Sequence, residues 1–333
     1  MADKILMGHG SGGRMMHRLV RDLIAPAFGM TTLSDAALFD VPAGGRMAFT
    51  TDSYVVSPIF FPGGDIGELA VCGTVNDLAM MGARPLCLTA GFILEEGLPL
   101  EDLRRVVSSM AETARQAGVS IVAGDTKVVD RGKCDGIFIN TAGVGLVPDG
   151  LDLSPGRIRA GDAVIVSGPC GSHGIAIMAE RNGLSFAPPL VSDTAPLNGL
   201  VELMLEQAKG IRVLRDPTRG GLATTIKEIA VEGSRRIVLE EKSVPVLPGV
   251  QGACGLLGLD PLYVANEGVL LGIVDGAEAE SLVQAMHSHP LGGSAALVGR
   301  VGEEEDGKVV LSTIAGGTRL LDMLTGEQLP RIC

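Results

Sequence analysis

The sequence contains no tryptophan and only two tyrosines among its 333 residues. Small and aliphatic side chains must therefore fill its core, and the 47 glycines mark many tight turns. This composition is typical of an α/β or α+β enzyme and not of an all-β binding module. The length predicts two domains of roughly 150 residues each.

Features of membrane and secreted proteins are also missing. No run approaches the roughly 20 apolar residues that a membrane helix needs, and the N-terminus lacks the apolar core of a signal peptide. The six cysteines are widely scattered without a C-x-x-C pair, which argues against a zinc ribbon, a redox dithiol and a disulfide framework. We therefore expect a protein of the reducing cytoplasm.

Positive charge is in deficit, since the formal net charge is -12 at pH 7. This balance argues against a protein that binds the phosphate backbone of nucleic acids. A bound nucleotide would need a divalent cation between its phosphates and the protein's carboxylates. No G-x-x-x-x-G-K-[ST] segment is present, so any ATP site is not a P-loop.

Strand and helix patterns alternate along the chain and are interrupted by turn-forming clusters at 148–150 and 154–156. We assign residues 1–150 to a first domain and 151–317 to a second. Periodicity fades beyond this point, so we assign 318–333 to a flexible tail that reaches at most about 55 Å when extended.

Six carboxylates interrupt apolar or glycine-rich segments: Asp35, Asp52, Asp77, Asp125, Asp216 and Glu267. Such oxygens suit Mg²⁺, which combines a few carboxylates with water and substrate phosphates. Lys127 stands two residues after Asp125 and is placed to neutralise a phosphate or move a proton. Simpler structural alternatives exist, because Asp77 can pair with Arg84 and Asp216 can cap a helix over 222–231.

Two glycine-rich segments are candidate phosphate contacts. Residues 8–13 formally match G-x-G-x-x-G, but the preceding strand is too short for a Rossmann unit, and a loop that closes over phosphates or a ligand-free arm fits better. Gly220 and Gly221 stand where a helix should start. They weaken a helix, yet they allow backbone amides to approach an anion closely.

The sequence ends on Cys333, a nucleophile that no following residue can bury. The tail is long enough to place this thiol in the chain's own cleft or in that of a partner. The alternative is an ordinary free cysteine that happens to be last.

Four segments, in order along nearly the whole chain, resemble the ATP-binding motifs of the aminoimidazole ribonucleotide synthetase (PurM-like) superfamily. They are Thr51-Asp52-Ser53, residues 75–83 around Asn76-Asp77, Gly124-Asp125-Thr126-Lys127 and residues 216–223 around Thr218-Arg219-Gly220-Gly221. The resemblance implies an α/β (α+β) fold with an N-terminal ATP-binding domain and a C-terminal α/β sandwich. It also implies a homodimer formed by the first domains, with ATP near the interface.

Residues 8–14 and the ending Pro330-Arg331-Ile332-Cys333 resemble the hydrogenase maturation branch of this superfamily. Selenophosphate synthetases instead carry a reactive cysteine or selenocysteine near the N-terminus, and thiamine-monophosphate kinases lack the terminal cysteine. The branch implies that the carbamoyltransferase HypF loads a carbamoyl group onto Cys333. ATP with Mg²⁺ then dehydrates it to a thiocyanate, and the cyanide passes to iron on the HypC–HypD complex for the [NiFe] hydrogenase centre.

By this resemblance the candidate catalytic residues are Cys333, with Glu267 and Lys127 handling protons in an order that stays open. The candidate nucleotide-binding residues are Asp52, Asp77, Asp125, Lys127, Thr218, Arg219, Gly220 and Gly221. The candidate metal ligands are Asp35, Asp52, Asp77, Asp125 and Asp216. Two alternatives remain, namely a non-catalytic carrier of a cysteine-bound group and a small-molecule kinase or synthetase of the same fold.

Overall fold

A computed structural model describes residues 4–6, 19–29, 46–324 and 332–333 of the chain. The described residues form two large β-sheets, each covered by helices, and a small two-stranded sheet of β2 and β3, which confirms the predicted two-domain α/β fold. Asp35 and the glycine-rich segment 8–13 lie outside the described residues. The division at residue 150 remains a prediction.

The strands are β1 Arg46–Tyr54, β2 Phe60–Phe61, β3 Gly64–Asp65, β4 Arg84–Glu95, β5 Ser120–Val129, β6 Ile137–Val147, β7 Ala163–Val166, β8 Ile211–Arg215, β9 Ile237–Glu240, β10 Leu271–Val274, β11 Ala296–Val301, β12 Val309–Ser312 and β13 Thr318–Leu321. The helices are α1 Ala25–Ala27, α2 Ile66–Met80, α3 Leu100–Gln116, α4 Ser172–Arg181, α5 Asn198–Gln207, α6 Gly221–Glu232, α7 Pro248–Leu257 and α8 Ala279–Met286.

The first sheet has the strand order β1-β6-β4-β5, and the described helices that contact it lie on one face. Helix α3 is amphipathic, and its apolar residues Leu103, Val106 and Met110 are fully buried in the core of this domain. The opposite face of the sheet, which we call the outer face, exposes Phe49 (73%) and Ile93 (42%). Exposed apolar side chains on a sheet face indicate a surface that another element or chain covers.

Helix α2 forms the centre of the molecule. It begins at Asp65, whose carboxylate accepts hydrogen bonds from the backbone N–H groups of Gly67 and Glu68. Every residue of the helix except Glu68 and Asp77 is buried, because the helix packs on the first sheet on one side and against β8 and α5 on the other. The apolar character of this segment around the whole helix therefore reflects burial between the two domains.

The second sheet has the order β13-β12-β9-β11-β7-β10-β8, and only β9 and β12 pair in parallel. Alternate residues of β7 point to opposite sides: Val164 and Val166 contact the core under α6, while Ala163 and Ile165 contact the core under α5 and α8. Helices thus cover both faces, as expected for an α/β sandwich.

Three sequence predictions need correction. The apolar run at 119–123 predicts a short buried strand that ends at Ala123, but strand β5 extends to Val129. It pairs with β4 along its length, and Gly124 allows the backbone of Ala90 to approach closely. Helix α6 is capped by Gly220 and not by Asp216. Residues 318–321 belong to the second sheet as β13, since β12 offers them a free edge, so the predicted tail begins too early.

Candidate active site

The end of the chain is held between the two domains. Ile332 is 4% exposed and is buried in a hydrophobic cluster that residues of both domains form. Its carbonyl oxygen accepts a hydrogen bond from Nε2 of His173 (2.6 Å), and the backbone oxygen of Cys333 accepts one from the N–H of Val55 (3.0 Å). The last two residues are therefore fixed by one hydrogen bond each, from opposite domains.

Four carboxylates from four separate segments meet near this end, and we call Asp52, Asp77, Asp216 and Glu267 the carboxylate cluster. Asp52 lies on the helix-facing side of β1, because its pairing partner Thr141 bonds to helix α2. The carboxylate of Asp77 accepts a hydrogen bond from Thr50 (2.6 Å), and no ion pair joins it to Arg84 among the residues that the structure describes. The alternative of a structural Asp77–Arg84 pair is therefore wrong.

Burial and mutual repulsion raise the pKa values of Glu267, Asp216 and Asp77 in this cluster. Burial, followed by the charge of Asp216, raises the pKa of Glu267 well above its usual range. Burial and the nearby Asp77 raise the pKa of Asp216 to about 7. Burial also raises the pKa of Asp77. The raised pKa values show that negative charge on these three side chains is unfavourable in the protein alone, although Arg215 lowers the pKa of both Asp77 and Asp216.

The same surroundings act on the thiol. Burial, followed by the charge of Glu267, raises the pKa of Cys333 to about 12, and Arg219 opposes the shift. With its tail held in this position, Cys333 is a protonated thiol and a weak nucleophile at neutral pH. The site therefore suits a group already attached to the sulfur better than it suits attack by the sulfur.

Buried Asn76 and partly buried Asp193, to which the sequence assigns no role, fix the position of Glu267. Asn76 donates to the carbonyl oxygens of Glu267 (3.2 Å) and Ala195 (3.1 Å) and accepts from the N–H of Leu197 (2.7 Å). Asp193 accepts from the N–H of Glu267 (3.2 Å). In the sequence, Asn76 is detectable as a polar residue inside an apolar helix. Asp193 is a carboxylate in a loop and belongs to no motif.

Asn266 plays a similar role beside Asp216. It is fully buried, accepts from the N–H of Gly171 (2.6 Å) and donates to the carbonyl oxygens of Pro217 (2.9 Å) and Val264 (3.2 Å). The segments that carry Asp216 and Glu267 are therefore held to each other by one amide side chain.

The turn 218–221 requires its glycines. Gly220 and Gly221 have φ of +78° and +60°, and a Cβ on Gly221 would lie 2.6 Å from the carbonyl oxygens of Leu262 and Val264. The turn leads directly into helix α6, whose first N–H groups lack helical partners. Backbone N–H groups at the start of a helix can bind an anion, and the phosphate contact at this turn remains a prediction.

The structure does not bring Asp125 and Lys127 to this site within one chain. Both lie on the outer face, more than 60% exposed, where Lys127 pairs with Asp125 (3.2 Å). Strand β5 lies at the opposite edge of the sheet from β1, three strand spacings or about 14 Å away. The sequence motifs predicted Asp125 and Lys127 to lie with Asp52 and Asp77 in one site. The order of the strands in the sheet instead separates them within one chain.

No group of three His, Cys, Asp or Glu side chains is arranged to bind a metal ion by itself within the described part of the chain. The carboxylate cluster nevertheless fits a divalent cation. It offers hard carboxylate oxygens whose ionised form a cation would stabilise, and Mg²⁺ takes its remaining ligands from water and phosphates.

Comparison with known proteins first defines the class. Residues 33–147 match the N-terminal domain of AIR synthase related proteins, and residues 159–312 match their C-terminal domain. The chain is therefore an AIR synthase related protein of two domains, as the ATP-binding motifs predicted.

The particular family follows from closer relatives. The carbamoyl dehydratase HypE of Cupriavidus necator is 55% identical over 99% of this chain and 95% of its own length. A crystal structure of hydrogenase maturation protein HypE in complex with ATP matches at a TM-score of 0.94, with 51% identity over 98% of this chain and 99% of that one. A HypE–HypF complex structure matches at 0.81, with 47% identity over 92% and 99% of the two chains. The chain belongs to the HypE family, which confirms the predicted hydrogenase maturation branch.

No helix in the described ranges combines the length and the apolar character needed to cross a membrane.

Proposed function

We propose that this chain is an ATP-dependent carbamoyl dehydratase whose substrate is a carbamoyl group on its own Cys333. The thiocarboxamide and ATP give a thiocyanate, ADP and phosphate, and the cyanide supplies the iron of a [NiFe] hydrogenase centre. The observation that carries the proposal is the position of Cys333 beside buried Glu267 and the carboxylate cluster. The HypE relatives, named as carbamoyl dehydratases, support the same reaction.

The chemistry has two requirements. The carbonyl oxygen is a poor leaving group until it accepts the γ-phosphoryl group of ATP, and it then departs as phosphate. The nitrogen must lose two protons so that the C≡N bond can form. Glu267 is suited to accept a proton, because burial raises its pKa and thereby its basicity.

The nucleotide is bound by residues from both domains in this proposal. Asp52, Asp77 and Asp216 face the phosphates through Mg²⁺, and the turn 218–221 offers backbone N–H groups to them. When bound, Mg²⁺ offsets negative charge at the transferring phosphoryl group. Asp35 keeps its predicted role as a metal ligand from outside the described residues.

A homodimer explains the position of Asp125 and Lys127. Both lie on the outer face together with the exposed apolar side chains of Phe49 and Ile93. Pairing two outer faces would bury these side chains and carry Asp125 and Lys127 toward the nucleotide site of the second copy. Lys127 then neutralises a phosphate in the partner's site or moves a proton of the group on the partner's Cys333.

Loading and delivery require the tail to leave its position. HypF must transfer the carbamoyl group to a thiolate, and burial holds the Cys333 thiol protonated with a pKa of about 12. We therefore place loading by HypF, and delivery to HypC–HypD, in a state with the tail released. A HypE relative forms a complex with HypF. The six free cysteines are consistent with a cytoplasmic location.

Mass spectrometry of the C-terminal peptide tests the proposal. With HypF, carbamoyl phosphate and ATP, Cys333 should gain about 43 Da and then show a net gain of about 25 Da. The variant Cys333→Ala should acquire neither mass. Phosphate release without the second mass would favour a carrier, and unchanged ATP turnover in Cys333→Ala would favour a small-molecule kinase.

A further inference from the structure

A buried histidine contacts the tail in the structure, and none of the predicted functions uses it. His173 lies in the first turn of helix α4 and is fully buried. One edge of its ring faces the backbone of Ile332, and the other faces the loop at 192–194. The ring of Phe61 packs against it edge-on, with centroids 5.7 Å apart and an interplanar angle of 88°.

The hydrogen bonds determine which nitrogen carries the proton. The carbonyl oxygen of Ile332 can only accept, so Nε2 of His173 must donate across the 2.6 Å contact. Nδ1 is then the acceptor for the hydroxyl of Ser192 at 2.8 Å. The Ser192 hydroxyl oxygen accepts in turn from the N–H of Thr194 (3.1 Å) and lies 2.7 Å from the Thr194 hydroxyl.

The loop that orients His173 also orients Glu267. Between Ser192 and Thr194 stands Asp193, whose carboxylate accepts hydrogen bonds from the backbone N–H groups of both Glu267 and His173. The three-residue segment 192–194 therefore orients two groups. One is the His173 ring, which holds the tail, and the other is the backbone of Glu267, the proposed base. A change in the hydrogen bond to Ile332 would move the sulfur relative to Glu267 without touching either group directly.

We propose that His173 is a positioning residue that holds Cys333 opposite Glu267 by donating from Nε2 to the carbonyl oxygen of Ile332. The inference rests on the proposed function for its catalytic consequence, but the holding of the tail is independent of it. Within the described ranges, the hydrogen bond from Val55 anchors the backbone of Cys333 at one point. The bond from His173 adds a second anchor at Ile332, one residue earlier. The two bonds together fix the direction in which the Cys333 side chain points.

Two substitutions separate the hydrogen bond from the presence of the ring. The side-chain nitrogen of His173→Gln reaches about as far as Nε2 and can still donate to Ile332. That of His173→Asn is one bond shorter, lies near the position of Nδ1, and cannot. The Asn variant should therefore release the tail and the Gln variant should retain it.

The measurement is the rate at which iodoacetamide alkylates Cys333, followed by mass spectrometry of the C-terminal peptide. The other five cysteines are buried and report the integrity of the fold in the same sample. We expect His173→Asn to accelerate alkylation of Cys333 by about tenfold or more while the buried cysteines stay protected. His173→Gln should remain within about threefold of the parent.

Equal rates in parent and His173→Asn, with the fold intact, would overturn the proposal, as would equal acceleration in both variants. If neither variant folds, ¹⁵N NMR of the parent protein tests the proposed hydrogen bond through the protonation state of the His173 ring. The His173 ring, assigned among five histidines, should be the neutral form protonated at Nε2 near pH 7. A ring protonated only at Nδ1, or at both nitrogens, would refute the arrangement.

Catalysis supplies the second readout. In carbamoyl-loaded protein, His173→Asn should slow formation of the thiocyanate by about tenfold, with restoration in His173→Gln. If the parent itself forms no thiocyanate while His173→Asn still releases the tail, the proposed function is wrong and the positioning role stands. Normal turnover in His173→Asn despite a released tail would remove the catalytic part of the inference.

Discussion

Glu267→Gln is the substitution that most directly tests how the site works. Glu267 is 4% exposed, and its backbone is held by Asn76 and Asp193 without help from its carboxylate. Glutamine keeps the size of the side chain and removes only its ability to accept a proton. We expect the fold to survive and dehydration to slow by about 10²–10⁴, which corresponds to about 2.7–5.5 kcal/mol in the activation barrier.

The assay is a single turnover. Carbamoyl-loaded protein is mixed with excess ATP and Mg²⁺, and the C-terminal peptide is followed by mass spectrometry as the carbamoyl form becomes the cyano form. The matched control is Glu202→Gln on the exposed side of helix α5, which should react at the parental rate. Thermal unfolding of each variant separates loss of the proton acceptor from loss of structure.

The pH dependence has a defined sign. Because burial raises the pKa of Glu267, the basic form is scarce at low pH and grows as pH rises, so the parental rate should increase with pH. Glu267→Gln should lose this increase. A Gln variant that dehydrates within threefold of the parent, or that keeps the parental pH profile, would show that another group accepts the proton.

The remaining predictions concern stability and assembly. The pKa of Asp216 is about 7 in the folded state against 3.8 unfolded, so folding takes up a proton and the free energy of unfolding should fall as pH rises between these values. Asp216→Asn should remove that fall and stabilise the nucleotide-free protein by about 2 kcal/mol at pH 8, measured by urea unfolding. The same substitution should weaken ATP binding measured by calorimetry. Lower stability of this variant at pH 8 would contradict the argument. Gly221→Ala should lower the melting temperature and weaken ATP binding, because a Cβ would lie 2.6 Å from two carbonyl oxygens at a φ of +60°; unchanged melting would refute this. The variants Lys127→Ala and Cys333→Ala should each be inactive alone. When the two variants are mixed and exchange subunits, the mixed dimers should regain thiocyanate formation. No recovery in proven mixed dimers would place Lys127 outside the partner's site.

The sequence by itself determined the class of protein and most of the chemistry. The apolar pattern predicts a strand at Ile137–Val147 and a helix from Ile66 to about Met81. The structure has β6 and helix α2 there to within one residue, because both elements are long and turn apolar residues toward the core. The motif order predicted the superfamily, and the ending on Cys333 predicted its branch. These features are local, so reading them requires no knowledge of what packs against them.

The tertiary structure decided which residues meet. Asp52 and Asp125 belong to motifs of the same kind, yet the strand order places them at opposite edges of one sheet and on opposite faces. His173 and Asp193 have no motif, but they contact Ile332 and Glu267 through hydrogen bonds between residues far apart in the chain. Sheet order and long-range hydrogen bonds depend on how the whole chain packs, and a local pattern of residues carries no record of that arrangement.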